Sequence, residues 1–489
     1  MKKKILLLLS GLLIELFYIL YRLVDVNPAQ TVIKYMVVYA AAFIMIVVSF
    51  RLLKDRQLSR FFFLTVLLFS LVFGLTLVTA PPGQSDDIYR YLWDGKLQYY
   101  GISPYTYAPD DPALNPYHSE QLPKLVNFPH IKTIYPPVAQ LFFRLSYTLF
   151  GESTAGLKFL FLLIALGSIC FFYLILKQKG ADPRWLLFFA WNPLVIMETA
   201  VNGHLDILMV FFLLMSLWSF YKGSATPTYS RSARCRSFWG FISKVCRKNK
   251  VSENINKNLL IFSGISLACA VLSKLIPVIL LPVFFFYFLP LLRGSLNLSV
   301  SSVSSVAKKN IFKFFIPLVL TITTFYILYF ESAQNMFLTA INYSTKWYFN
   351  NPLFLGIFSI FKDNATAHMV SFLLFIVLYI LILLSRFELD KKLFFALGAF
   401  VICNPTIHPW YLIILLGLLC IHRSVIIVLW SGLVIFSYIV VYDFKLTGTW
   451  KDSWFLLGIE YLPLVILLVI QWYRGRLKKR SCLTHHSML

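Results

Sequence analysis

Apolar runs of about 20 residues, the length of helix needed to cross a roughly 30 Å hydrocarbon core, recur along almost the whole of this chain. A sequence patterned this way is built for lipid rather than water. Of its 489 residues, 59% are hydrophobic and only 13% charged, and a soluble domain needs more polar surface than that. The expected fold is therefore all-α: a polytopic integral membrane bundle forming a single domain over residues 1–489. The runs lie near 5–23, 33–53, 61–80, 155–177, 185–200, 205–221, 259–273, 276–292, 314–330, 366–385, 392–405, 410–422, 424–442 and 454–473, which makes about 14 segments.

A formal charge of +24 would suit nucleic acid if the basic residues formed one patch with stacking aromatics. Here they are spread between apolar runs instead. With the N-terminus inside, 32 of the 45 Lys and Arg fall in alternate, cytoplasmic connections, as the resistance of basic residues to translocation requires. Both termini are expected in the cytoplasm. Lys2, Lys3 and Lys4 before an apolar core resemble a signal peptide, but no small-residue cleavage site follows and Tyr18–Arg22 is bulky, so the segment is read as the first helix. None of the seven cysteines falls in 81–154, and no disulfide framework or Cys-x-x-Cys metal site is implied.

Two stretches are long and not helical in pattern. Residues 222–258 are rich in Ser, Lys and Arg with the single acid Glu253, which reads as a solvated cytoplasmic loop. The other, 81–154, is extracytoplasmic by parity and holds Asp86, Asp87, Asp94, Asp110, Asp111, Glu120 and Glu152 among prolines and aromatics. Within it Ser85 or Asp86 is placed to cap a helix running to about Tyr100. Asp87, Arg90, Tyr91, Asp94 and Gln98 share one face of that helix, with Ile88, Leu92 and Leu97 elsewhere. This is the pattern of an amphipathic helix at the membrane interface.

Adjacent carboxylates just after a membrane helix suit a general base at headgroup depth; the plainer alternative is an N-cap favoured by the helix dipole. Five further pieces fall on the same side: TIYPPVAQLFFRL (133–145), WNPLVIMETAVNGHLDIL (191–208), SKLIP (273–277), NYSTKWYFNNP (342–352) and NPTIHPWYL (404–412). Asn202, His204 and Asp206 between apolar runs are costly if they face lipid, roughly 2.5–3.5 kcal/mol for a charge near mid-membrane, so they are expected to line a cavity or interface. Lys274 is either a snorkelling anchor or a cation aimed at phosphate. His204 and His408 without a His-x-x-x-His pair make a zinc site unexpected, and Glu15 is read as bonding a neighbouring helix.

Taken in order, SDDIYRYLWDGK, GISPY, YPP, WNPL followed by NGHLD, and HPWYL resemble the polyprenol-phosphate-mannose-dependent mannosyltransferases of the GT-C superfamily, including bacterial α-mannosyltransferases. More distantly they are similar to the GPI-anchor mannosyltransferases and the lipid A aminoarabinose transferases. The resemblance spans residues 85–412. It implies an inverting transfer of a hexose, mannose first, from a polyprenyl-phosphate carrier to a hydroxyl of a lipid-linked or cell-envelope glycan, in a bacterial plasma membrane, with the active site extracytoplasmic.

By the same resemblance the base is Asp86 or Asp87, with a slight preference for Asp86. Lys274 is the first choice to meet the donor phosphate, Arg90 and Arg144 the alternatives. The sugar pocket is assigned Tyr89, Asp94, Tyr135, Asn202, His204, Asp206, His408 and Trp410. No cofactor and no metal are expected, since the chain has no Asp-x-Asp, the metal-binding motif of nucleotide-sugar transferases. Two apolar segments more than usual precede the acidic loop. The chief alternative is a transporter or flippase of lipid-linked saccharides, which also needs polar breaks within the bundle but would show matching halves; none is visible. A polysaccharide polymerase would carry its large loop late and basic, and a membrane scaffold would make no use of an acidic loop.

Overall fold

The computed structural model describes residues 2–27, 30–53, 60–224, 257–293 and 301–484. Among these the chain is all-helical, apart from an isolated parallel bridge between Phe349 and Thr406. Among the described residues nine helices are long and apolar enough to cross a membrane, and four apolar helices of 10–17 residues accompany them. The basic stretch expected as a cytoplasmic loop lies, over 225–256, outside the described residues.

Helices α1 (Lys2–Leu23), α2 (Gln30–Leu52) and α3 (Arg60–Leu77) come first. Between the helix ends, which carry Lys, Gln and Arg, their exposed side chains are Leu, Ile and Val, as a face turned to lipid requires. Glu15 of α1 accepts a hydrogen bond from Thr76 of α3, the helix-to-helix role expected of it. Pro81-Pro82-Gly83 stops the helical run, and the chain enters the acidic stretch.

That stretch is more helical than its sequence suggests. Besides α4 (Asp87–Tyr99) it contains a second helix, α5 (Pro137–Phe150), which starts on Pro136-Pro137 and ends at Gly151 in a positive-φ turn. Proline at the first helical position gives up only a donor that has no partner there anyway. The expectation of an amphipathic interfacial helix is also corrected: α4 is buried on its polar face as well as its apolar one, from Arg90 and Asp94 through Lys96 and Gln98. Ile131 and Thr133 before α5, Gln140 within it and Glu152 after it supply the hydrogen-bond partners of those polar groups. The two helices touch at Gly95, where a Cβ would stand 2.4 Å from the Phe143 carbonyl oxygen. Gly95→Val is expected to cost about 1–3 kcal/mol through overpacking, seen as a lower unfolding temperature in detergent.

Capped by the Ser153 hydroxyl on the Gly156 N–H at 3.1 Å, α6 (Thr154–Gln178) returns across the bundle. The run near 185–200, expected as one membrane helix, is broken instead. Short helices α7 (Leu187–Ala190) and α8 (Pro193–Met197) lead into a π-helical turn, Glu198–Asn202, and the whole stretch is buried. Asn192-Pro193 makes the first break, with Asn192 capping α8 through the Leu194 N–H at 3.0 Å. Gly203 makes the second: its φ is +74°, and a Cβ there would meet Ile88 Cδ1 at 2.5 Å, so the sharp turn needs glycine.

From that turn rises α9 (Asp206–Gly223), packed on α10 (Lys257–Ser273). Then follow α11 (Leu280–Arg293), α12 (Ser301–Ile327), α13 (Phe330–Ser344), α14 (Pro352–Phe361), α15 (Asn364–Leu384) and α16 (Leu389–Cys403). Of these α13 and α14 were not anticipated. The expected helix at 410–422 is likewise broken, into a 3-10 turn over Pro409–Leu412, α17 (Ile413–Gly417) and a second 3-10 turn. Apart from Tyr411 it is buried, packed beside α9. Last among the described residues come α18 (Val425–Leu433), α19 (Tyr438–Thr447) and α20 (Trp454–Thr484).

Candidate active site

A cavity of about 640 Å3 opens where the acidic stretch meets the ends of the later helices, within the range of about 300–1,000 Å3 typical of small-molecule sites. Asp86 and Asp87 from the start of α4 line it, with Arg90, Asn127 and Tyr135 from the same stretch. From far along the sequence come Lys274, the strip Trp347–Phe349, and His408 and Trp410. Backbone pairing of Phe349 with Pro405 and Ile407, at 3.2 and 2.8 Å, ties two of these lining segments together.

The two carboxylates differ in setting. Asp86 occupies the N-cap position of α4 but makes no side-chain cap, and it is exposed. Asp87 is held: its Oδ1 accepts from Asn127 Nδ2 at 3.0 Å, and its Oδ2 lies 3.8 Å from His204 Nδ1. Desolvation raises both carboxyls above the ordinary carboxylate value. For Asp86 this is offset in part by Lys445. For Asp87 the Asn127 hydrogen bond and Lys274 pull downward, while Asp206 and Asp86 add to the rise. A base must be ionised to take a proton, so a raised value moves the loss of activity to higher pH. The acid limb of kcat/KM is expected above the usual carboxylate range, and a pH-rate profile checks it.

Lys274 is not a snorkelling anchor. Its Nζ stands 2.7 and 2.9 Å from the two carboxylate oxygens of Asp206 and 4.5 Å from the centre of the Tyr411 ring, at the cavity wall. Asp206 is 1% exposed, so this cation offsets an otherwise isolated buried charge. Arg90 also reaches the wall, but Asp94 (3.0 Å) and the Ile131 carbonyl (2.8 Å) engage it. Asp94 lies behind the cavity and accepts from Thr133 at 2.6 Å and Gln140 at 2.9 Å. Burial raises its carboxyl and Arg90 pulls it back down. Asp94 and Gln140 therefore shape the loop that carries Asn127 from behind, while Arg90 and Thr133 reach the cavity.

His204, Trp410 and His408 form a continuous ring stack, with centroids 3.7 and 4.4 Å apart. Burial, then Lys274, pushes His408 down to about 3, so the face of the stack that meets the cavity is neutral. Asn202 is fully buried, donating to Glu198 Oε2 at 2.9 Å and accepting from the Gln84 N–H at 3.3 Å. Of the residues assigned to the sugar pocket, Tyr135, His408 and Trp410 line the cavity, whereas Asp94, Asn202, His204 and Asp206 are buried behind its wall and Tyr89 packs against the core; Arg144, an alternative cation for the donor phosphate, is exposed on α5. Asn127 and Glu198 were not singled out from the sequence. Among the described residues no group of three metal-ligating side chains comes together.

Comparison with known proteins adds the family. No curated protein matches the chain. Among solved structures, ArnT from Cupriavidus metallidurans bound to undecaprenyl phosphate aligns at 14% identity and a TM-score of 0.41, over 85% of this chain and 72% of that one. The apo oligosaccharyltransferase of Archaeoglobus fulgidus aligns at 12% and 0.37, over 84% and 56%. These superpositions are too loose to add to what the chain's own residues show. The family of alpha-(1->6)-mannopyranosyltransferases is a firmer match: the model of its N-terminal domain covers residues 17–289, from α1 past the acidic loop, the Gly203 turn and Lys274. With more than half of its length matched, the chain belongs to the MptA/B family of α-(1→6)-mannopyranosyltransferases and is a membrane mannosyltransferase.

Proposed function

We propose that the chain transfers mannose, with inversion, from a polyprenyl-phosphate carrier to a hydroxyl of a mannose-containing glycan on the extracytoplasmic face, with Asp87 as general base. The observation that carries this reading is the cavity that joins the Asp87 carboxylate, held by Asn127, to the Lys274 ammonium. An attacking alcohol needs a base, and a departing phosphate needs a cation. As the acceptor oxygen bonds to C1 of the mannosyl group, its proton passes to Asp87. The C1–O bond breaks, and its electron pair leaves on the phosphate, whose growing charge Lys274 stabilises more in the transition state than in the ground state. Asp87 is preferred to Asp86 because it is oriented; Asp86 lies at the exposed rim near Lys445.

The family description supports the 6-hydroxyl of a mannosyl residue as the nucleophile. Exposed faces of Phe128, Trp347 and Trp450 at the cavity mouth suit the apolar faces of an acceptor sugar. Supplied with radiolabelled polyprenyl-phosphate-mannose or nucleotide-mannose and a mannoside acceptor, the purified protein is expected to use the lipid donor alone. Transfer from the nucleotide donor instead would overturn the reading.

A further inference from the structure

A buried acid and a buried histidine stand behind Asp87, and the reaction as written leaves both without a task. Glu198, fully buried in the π-helical turn, receives hydrogen bonds from the Tyr35 hydroxyl at 2.7 Å, from Tyr438, and from Asn202 Nδ2 at 2.9 Å. The groups around it are donors, as an ionised carboxylate requires. His204, 1% exposed, lies between this acid and the base: Nε2 is 3.5 Å from Glu198 Oε2 and Nδ1 is 3.8 Å from Asp87 Oδ2. Neither ring nitrogen has a hydrogen-bond partner among the described residues. Buried polar atoms left this way are uncommon and call for an explanation.

We propose that Glu198 and His204 are positioning residues that form a proton relay behind Asp87, drawing the acceptor's proton inward along a hydrogen bond from the base as the sugar is transferred. The inference rests on Asp87 being the base. Glu198 fixes the tautomer, because an acceptor-only carboxylate facing Nε2 keeps the ring hydrogen there and leaves the Nδ1 lone pair towards Asp87. Trp410, stacked at 3.7 Å, fixes the ring plane. While Asp87 is ionised, its oxygen and the Nδ1 lone pair face each other with no proton between them, which accounts for the 3.8 Å gap. Once Asp87 has taken the acceptor's proton, its O–H donates to Nδ1 and the gap closes. Burial, Lys274 and His408 oppose charge on this ring, so the proton shifts towards Nδ1 within that hydrogen bond without breaking away from Asp87 Oδ2. It passes from there to water when product leaves. Contacts of this kind are commonly long in a free enzyme and shorten in the complex.

Other charges bear on the relay. Asp86, Asp206 and Lys274 face Asp87, Lys274 and His408 face His204, and Asp206 faces Glu198. A partner that stabilises protonated Asp87 strengthens it as a base. Removing that partner weakens the base and moves the acid limb to lower pH.

The test compares His204→Phe, which keeps the stack on Trp410, and Glu198→Gln, which turns the tautomer round, with wild type and Asp87→Asn in mannosyl transfer across pH. Both relay variants are expected to lower kcat about 10- to 100-fold with donor KM within about twofold, and to shift the acid limb downward by about one pH unit. If Asp87→Asn is inactive while either folded relay variant keeps the wild-type rate and profile, the relay is wrong and the base stands. If Asp87→Asn retains wild-type transfer, the base reading itself fails and the relay falls with it. Melting curves in detergent identify a variant that has not folded, and the other then decides.

Discussion

Lys274→Met is expected to lose at least about 100-fold in mannosyl transfer, the scale seen when one preorganised group facing developing charge is removed. It should also destabilise the protein by about 3–5 kcal/mol, because Asp206 is left charged and buried with its cation gone. The two losses separate in a double variant. Lys274→Met with Asp206→Asn removes both charges and is expected to recover most of the unfolding temperature but none of the transfer. Thermal unfolding in detergent, run beside the transfer assay, checks this. Recovered activity in the double variant would mean that Lys274 only neutralises Asp206 and does not meet the donor phosphate.

Asp87→Asn is expected to reduce transfer by about 100- to 10,000-fold, the range for loss of a positioned general base, with an unchanged unfolding temperature. Asparagine preserves shape and can still meet Asn127 with its amide oxygen. What it lacks is an oxygen able to take a proton. Asp86→Asn removes an exposed carboxylate with no side-chain cap, and its effect is expected to stay within about tenfold. The reverse order, Asp86 essential and Asp87 dispensable, would move the base one residue outward to the rim near Lys445.

How much of this the sequence carried depends on whether a feature is local. Length and apolarity are local, so α1, α2, α3, α6, α9 and α15 appear close to where their runs place them. The runs at 185–200 and 410–422 look the same by composition yet are broken and buried, because Asn192-Pro193, the Gly203 turn and His408-Pro409 divide them and neighbouring helices enclose them. Apolarity alone does not distinguish lipid from protein interior. Equally, α4 reads as amphipathic in isolation, and its burial comes from Thr133 and Gln140, some 40 residues away.

The cavity follows the same division. The pair Asp86-Asp87, Lys274 and the HPWYL motif are conspicuous as polar breaks in apolar surroundings, and they meet at one cavity. Arg144 looked equivalent to Arg90 by charge, but its place on α5 turns it away. Glu198 had a signal, a lone acid in an apolar run, hidden by the richer NGHLD beside it. Asn127 had none: it is one amide in a Pro-bounded loop, and only the fold brings it to 3.0 Å from Asp87.

The stereochemistry of the product tests the central claim most directly. Purified protein with a chelator, a synthetic polyprenyl-phosphate-mannose of β configuration and a mannoside acceptor should yield a product whose new linkage, read by NMR, is α. A single in-line displacement with Asp87 as base requires that inversion. A β-linked product, or no transfer from this donor while the protein is folded, would contradict it.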